Sequence, residues 1–343
     1  MPRRPEPLPI TLDAALRDAD LDDDKARILA LTHLGSTYLT ALGSAEPVWQ
    51  ARTREPRGEA VQAALLRALA GDPIVANRAL AAVGLGQLGA PELLAAIPDA
   101  WFASDARDPA IAYCRECAAI AWTLLALAAK PVPGDMPQST CDTARANLRR
   151  GLTSEFPELR FQCAVGLAEV DGRAAEAALA DALTREQEPS VRGALVTALG
   201  EIDPPSPATC DALAPLCADP HPPTAFAAAL ALTVARDPRG GSALLQALAR
   251  AEDRGRALEA LAALGPRAPE AALPAVRRLA YSLFTPGLTR VRAAYALARL
   301  APREGEALLA RLSGSWRPAV REAVTDARAA LAQLLARESV GLG

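Results

Sequence analysis

A chain of 343 residues exceeds the usual single globular domain, and a composition that is 51% hydrophobic but only 4% aromatic supplies small side chains for closely packed helices rather than a deep core. The formal net charge of −3 argues against a broad phosphate-binding face, and so against nucleic acid as the main partner. Six cysteines without the spacing of a disulfide scaffold predict reduced thiols and a cytoplasmic setting.

In chain order, Met1-Pro2-Arg3-Arg4-Pro5 leads into Pro and Asp rather than an apolar core, so no secretory signal is expected. Residues 12–35 read as a first helix pair with Asp22-Asp23-Asp24 in its turn. A non-repeat insertion follows near 36–60, carrying Trp49, Arg52, Arg54 and Arg57. Helices resume at Val61, with turns at Asp72-Pro73 and Asp108-Pro109, and a second insertion rich in Pro and Gly spans 131–143. The cleanest helix pairs then run through 144–170, 174–202, 208–236, 242–265, 271–301 and 304–336. No stretch approaches 18 consecutive apolar residues, so neither a membrane span nor membrane contact is expected.

Four stretches superimpose in register: Pro157-Glu158-Leu159-Arg160, Pro189-Ser190-Val191-Arg192, Thr289-Arg290-Val291-Arg292 and Pro318-Ala319-Val320-Arg321. Counted from the apolar anchor, positions 0, +3, +4 and +7 give Val191, Ala194, Leu195 and Ala198, then Val291, Ala294, Tyr295 and Ala298, then Val320, Ala323, Val324 and Ala327. Leu159, Gln162, Cys163 and Gly166 form a looser copy. This spacing is the buried stripe of an amphipathic helix, and a small residue at +7 calls for close approach by a neighbouring helix. Prolines two residues before the anchor suit a first helical turn, and Gly89, Gly200 and Gly265 fall where helices should end. Arg160 and Arg192 lie 32 residues apart, a period that marks a stacked helical array. The predicted fold is all-α: an α-solenoid superhelix of about nine helix-pair repeats, one body over 1–343 with the two insertions.

Pro189–Gly200, which reads Pro-x-Val-Arg-x-Ala-Leu-x-x-Ala-Leu-Gly, resembles the second-helix signature of HEAT repeats, in particular the bacterial group similar to phycobilisome-lyase HEAT-like repeats. The resemblance covers most of the chain beyond residue 61 and is strongest over 144–202 and 286–336. It implies protein binding along a concave face and implies no reaction. It also implies an acid in the inter-helix turn that contacts the Arg of the following helix, a place that Glu155 fills for Arg160 and Glu188 for Arg192. Arg292 and Arg321 have no acid just before them, which leaves them for a partner.

Motifs with catalytic or ligand-binding spacing mostly fail on context. Gly84-Leu85-Gly86-Gln87-Leu88-Gly89 matches a dinucleotide fingerprint, but a helical pattern precedes it where a strand is required. Asp18, Asp20 and Asp22 start like a calcium loop, yet Asp23 stands where Gly is needed and Leu29 where a bidentate Glu is needed. Cys114 and Cys117 have the spacing of half a zinc site, but with Ala118 and Ala121 they share one helical face and read as core; Cys210 and Cys217 read likewise. The only histidines, His33 and His221, lack the His-Glu pairing of HEAT-repeat di-iron hydroxylases and leave a nucleophile little prospect of a base. Trp101 and Asp105 raise the alternative of a HEAT-like alkylpurine DNA glycosylase, in which indole would stack on the base and carboxylate would stabilise a cation.

Charge is unevenly spread: residues 151–270 hold 10 basic and 17 acidic groups, whereas residues 271–343 hold 11 and 5, a net +6. A basic end steers an acidic partner. The sequence therefore predicts a non-catalytic scaffold or adaptor that binds another protein, with an acidic one as the candidate, along the concave surface. The candidate contacts are Arg277, Arg278, Arg290, Arg292, Arg299, Arg317 and Arg321, with Trp316 as aromatic anchor. No cofactor and no metal are expected, and the oligomeric state is left open. DNA binding and a phycobiliprotein lyase-like accessory role stand as the alternatives.

Overall fold

The computed structural model describes residues 10–42, 57–89, 96–97, 101, 108–129 and 138–340. Its helices are α1 (Leu12–Asp18), α2 (Asp24–Leu42), α3 (Gly58–Gly71), α4 (Val75–Gln87), α5 (Pro109–Ala129), α6 (Gln138–Gly151), α7 (Pro157–Asp171), α8 (Glu176–Arg185), α9 (Pro189–Gly200), α10 (Pro207–Leu213), α11 (Pro222–Val234), α12 (Gly241–Ala247), α13 (Arg254–Leu264), α14 (Ala272–Tyr281), α15 (Gly287–Leu300), α16 (Pro302–Leu312) and α17 (Pro318–Val340). Short 3-10 turns join several of them, and no strand occurs among the described residues.

Packing separates the chain into two compact units, Met1–Ala198 and Leu199–Gly343. In the first, α2, α4, α5 and α7 touch in that order to form a row of second helices, against which α1, α3 and α6 lie as first helices. In the second, α11, α13, α15 and α17 form the equivalent row, with α10, α12, α14 and α16 as their partners. Among the described residues eight helix pairs are complete, and α5 takes a second-helix place between α4 and α7. This is the all-α solenoid architecture, and its pair boundaries from α6 onward follow those read from the sequence.

The local chemistry explains where helices start and stop. The Thr11 hydroxyl accepts from the Ala14 N–H, Asp23 accepts from Lys25 and Ala26 N–H at 2.9 Å each, and Ser206 accepts from Thr209 N–H, so the first-turn donors are satisfied. Gly89 and Gly265, at φ of 65° and 53°, end α4 and α13 in the left-handed region that L side chains avoid. The small +7 positions do what their pattern predicts. A Cβ added at Gly166 of α7 would stand 2.6 Å from Thr123 Oγ1 of α5, and Ala298 of α15 is met by Gly305 of α16. Leu residues such as Leu85, Leu167, Leu195 and Leu261 are fully buried, each worth about 1.5–3 kcal/mol of apolar transfer.

Both predicted insertions prove partly helical. Helix α2 runs on to Leu42 because its polar side chains serve their own backbone: the Thr32, Thr37 and Thr40 hydroxyls donate to the carbonyls of Ile28, His33 and Ser36, while Tyr38 is fully buried. Helices α3 and α6 begin at Gly58 and Gln138, and the opening residues of α6, Gln138-Ser139-Thr140, are polar in sequence and carry no apolar stripe. Residues 43–56 and 131–137, including Trp49, Arg52 and Arg54, lie outside the described residues, whereas Arg57 pairs with Asp13. Residues 109–127 of α5 are long and apolar enough by length and composition to cross a membrane, but α5 packs against both α4 and α7 as a core helix of its unit.

Candidate protein-binding face

The arginines of the second helices fall into one recurring arrangement. As the fourth residue of its helix, a guanidinium reaches back to a carbonyl of the preceding turn: Arg27 to Leu21 (2.9 Å), Arg78 to Asp72 (2.6 Å), Arg160 to Ser154 (2.9 Å) and Arg321 to Ser315 (2.8 Å). Arg254, at the start of α13, does the same with Leu248 at 2.7 Å. Carbonyls left open at a helix end need a donor, and a charged one bonds more strongly than a neutral one. Each clip closes a helix pair from within.

Acids join neighbouring pairs. Arg160 donates to both carboxylate oxygens of Glu186, at 2.7 and 2.8 Å, and Glu186 also accepts from the N–H groups of Gln187 and Glu188. These donors, Arg160 first, hold the Glu186 carboxyl below its ordinary range despite burial. The ladder thus runs from Arg160 to the acid of the next turn; Glu155 meets Arg160 through its backbone carbonyl and Glu188 accepts from Ser190. Arg27 with Asp72 repeats the link, whereas Arg145 and Arg149 of α6 hold Asp171 at the end of α7, inside their own pair.

The candidate residues sort into four groups. Arg277 is bound by both oxygens of Glu304 at 2.9 and 2.6 Å, and Arg299 is buried, donating to the Ala262 carbonyl at 3.2 Å beside Gly265, so both hold the fold together. Arg290 donates to the carbonyls of Ser282, Leu283 and Thr285, and Arg321 to those of Ser315 and Trp316, fixing the turns before α15 and α17. Arg292 alone of the set faces the row of second helices, 3.3 Å from Glu259 with both side chains about half exposed. Arg278 and Arg317 are exposed without an ion pair among the described residues, and Arg317 stacks on Trp316 at 5.0 Å. The aligned register paired Arg292 with Arg160 and Arg321, whereas Arg290 holds the clip. Helix α15 starts four residues before its anchor Val291, and α7 and α17 only two before theirs.

Beside Arg292 a groove of about 510 Å³ runs over α13, α15 and α17. Leu288, Val291 and Tyr295 line one wall, Ala323, Ala327 and Ala330 the other, and Glu259, Arg292 and Asp326 supply its charges. The repeated small residues that let helices stack elsewhere are here only partly covered and leave the hollow open to solvent. None of its residues except Arg292 was singled out as a contact from sequence; the +3 and +7 alanines of the final repeat were the available signal.

The ligand-like motifs are absorbed by the fold. Gly86 faces Ala121 of α5, and Gly84 faces Leu65 of α3, so the glycine-rich run serves helix packing. Asp18 pairs with Arg17, Asp20 with Arg67, and Asp24 with Arg27. Cys114 and Cys117 are buried, which pushes their thiols up to about 11 and about 12, as it also raises Cys217 and Cys163. Among the described residues no three His, Cys, Asp or Glu side chains converge on a metal-sized site. Trp101 is buried, with its carbonyl held by Arg115, so its indole is closed to a nucleobase, and Asp105 lies outside the described residues.

The sequence profile of the HEAT repeats matches residues 145–233 and again 175–265. No curated protein matches the sequence. Among solved structures, Kap121p bound to Nup53p is similar over 91% of this chain at 11% identity and a TM-score of 0.50. Kap121p bound to Ste12p gives 12% and 0.51 over the same share. This chain spans 36% of the length of Kap121p, and at such identity the likeness concerns the fold alone. The complex of CpcE and CpcF of phycocyanin lyase from Nostoc sp. PCC7120 aligns over 96% of this chain and 98% of that one, at 20% identity and a TM-score of 0.35.

Proposed function

We propose that this HEAT-repeat protein is a non-catalytic, cytoplasmic scaffold that holds another protein along the second-helix face of its C-terminal unit. The observation that carries the reading is the open groove over α13, α15 and α17. An elongated apolar hollow with charges only at its margin suits the face of a partner's amphipathic helix, whose side chains fill it while a carboxylate or guanidinium meets Arg292, Glu259 or Asp326. Tyr295 is the natural anchor, since an aromatic side chain in the middle of a desolvated patch carries a large share of binding energy. The marginal charges set orientation more than affinity.

The test compares affinity capture from the native host by the wild-type chain and by Tyr295→Glu and Ala327→Arg variants, with helix content followed by circular dichroism. A reproducible protein partner lost by both variants at unchanged helicity supports the reading. A partner retained equally by the variants moves binding off this face, and a purified chain that turns over a captured small molecule ends the non-catalytic claim.

A further inference from the structure

The turns before α15 and α17 expose large apolar side chains to an unusual degree: Phe284 is 98%, Leu283 87% and Trp316 81% accessible. They sit side by side, because a Cβ added to Gly287 at the start of α15 would fall 2.8 Å from Val320 Cγ2 at the start of α17. Neither turn is loose. Arg290 is tied to three carbonyls of the first and Arg321 to two of the second, so both tips are held in place before anything binds.

The cations beside the tips are Arg278 and Arg317, both exposed, and Arg311, which covers the Tyr281 ring at 5.6 Å. Arg277, Arg290, Arg292 and Arg299 are engaged by Glu304, the turn carbonyls, Glu259 and the Ala262 carbonyl. The acids at hand are Glu304 of α16, held by Arg277 and bonded to Tyr281, and Glu322, next to Arg321 on α17. An exposed apolar tip ringed by cations asks for an anionic surface that is soft at its boundary.

We propose that these two turns dock the C-terminal unit on an anionic phospholipid bilayer, with Leu283, Phe284 and Trp316 entering the headgroup boundary and Arg278 and Arg317 meeting phosphates. Side chains that protrude this far would each need a matching pocket in a protein partner, whereas a bilayer accepts them without one. Indole is suited to that depth, and the guanidinium stacked on it at 5.0 Å lies level with the ring. Guanidinium binds phosphate through two parallel hydrogen bonds. The sequence expectation of no membrane contact rested on the lack of an apolar run, which peripheral docking does not require. The proposal is separate from protein binding in the groove.

Co-sedimentation of the full chain with phosphatidylcholine vesicles, with and without phosphatidylglycerol, tests it. Binding is expected only to the anionic vesicles and should fall with added salt. Arg278→Glu and Arg317→Glu should each weaken it about five-fold or more. The Leu283→Ser/Phe284→Ser variant should weaken it about ten-fold. All these residues are exposed, so helicity should not change; Tyr295→Glu in the groove should leave vesicle binding intact. Absence of binding, equal binding to neutral vesicles, or wild-type binding by the turn variants overturns the proposal, as does capture of a protein through these turns that vesicles do not displace.

Discussion

Gly86→Ala isolates the role of the glycine-rich run on α4. The added Cβ would stand 2.6 Å from both the Cα and the carbonyl oxygen of Ala121, and backbone cannot rotate away, so α4 and α5 must separate. Overpacking of this kind costs about 1–3 kcal/mol, and a rigid backbone neighbour places it toward the upper end. Replacing Gly by Ala within a helix returns about 1 kcal/mol. The net loss is about 1–2 kcal/mol, which with an m-value of about 3 kcal/mol/M lowers a urea midpoint by about 0.5 M. Gly84→Ala makes the control, since its Cβ meets the methyl ends of Leu65 at 2.7 and 3.1 Å, and a rotamer change relieves the clash; its midpoint should move little. Urea unfolding followed by circular dichroism measures both. Equal destabilisation of the two variants, or a Gly86→Ala chain as stable as wild type, would refute the assignment of Gly86 to helix contact.

Further outcomes follow from the same geometry. The Glu186 carboxyl is held below its ordinary range, chiefly by Arg160, so its contribution is complete above the unfolded carboxylate pKa of about 4.3 and vanishes as pH falls through the lower folded value. Glu186→Gln should flatten that part of the acid-unfolding curve, while Arg160→Met, which strands a buried carboxylate, should cost about 2–4 kcal/mol at neutral pH. Among the thiols, half-buried Cys141 should react first with iodoacetamide near neutral pH, and Cys114 and Cys117 only on unfolding, as peptide mapping of labelled protein can show. Arg290→Met removes three turn contacts at once and should raise hydrogen exchange at residues 282–285 without moving that of α13.

What the sequence revealed was whatever repeats along one helix. The stripe through Val191, Leu195 and Ala198, the prolines at helix starts and the glycines at helix ends all act within a few residues, and the structure returns them in place. Features that need two elements were less legible. Glu186 is 26 residues from Arg160, so nothing local distinguished it from Glu155 as the ladder acid. Arg290 and Arg292 differ only in how far α15 extends before Val291, and Arg299 looked like a surface charge until α13 closed over it. The end of α2 carries its stripe on through Leu34 and Tyr38, but the run of hydroxyl residues between them reads as loop until those hydroxyls are seen to bond to their own helix. The groove takes its lining from α13, α15 and α17 together, so no single repeat encodes it.

The clip from the fourth residue of a helix to the carbonyl six positions earlier lies wholly inside one hairpin. Such a fastener travels with its own module. Clipped repeats can therefore slide against their neighbours under load while each of those hairpins stays latched, because what gives way first is the stacking between modules.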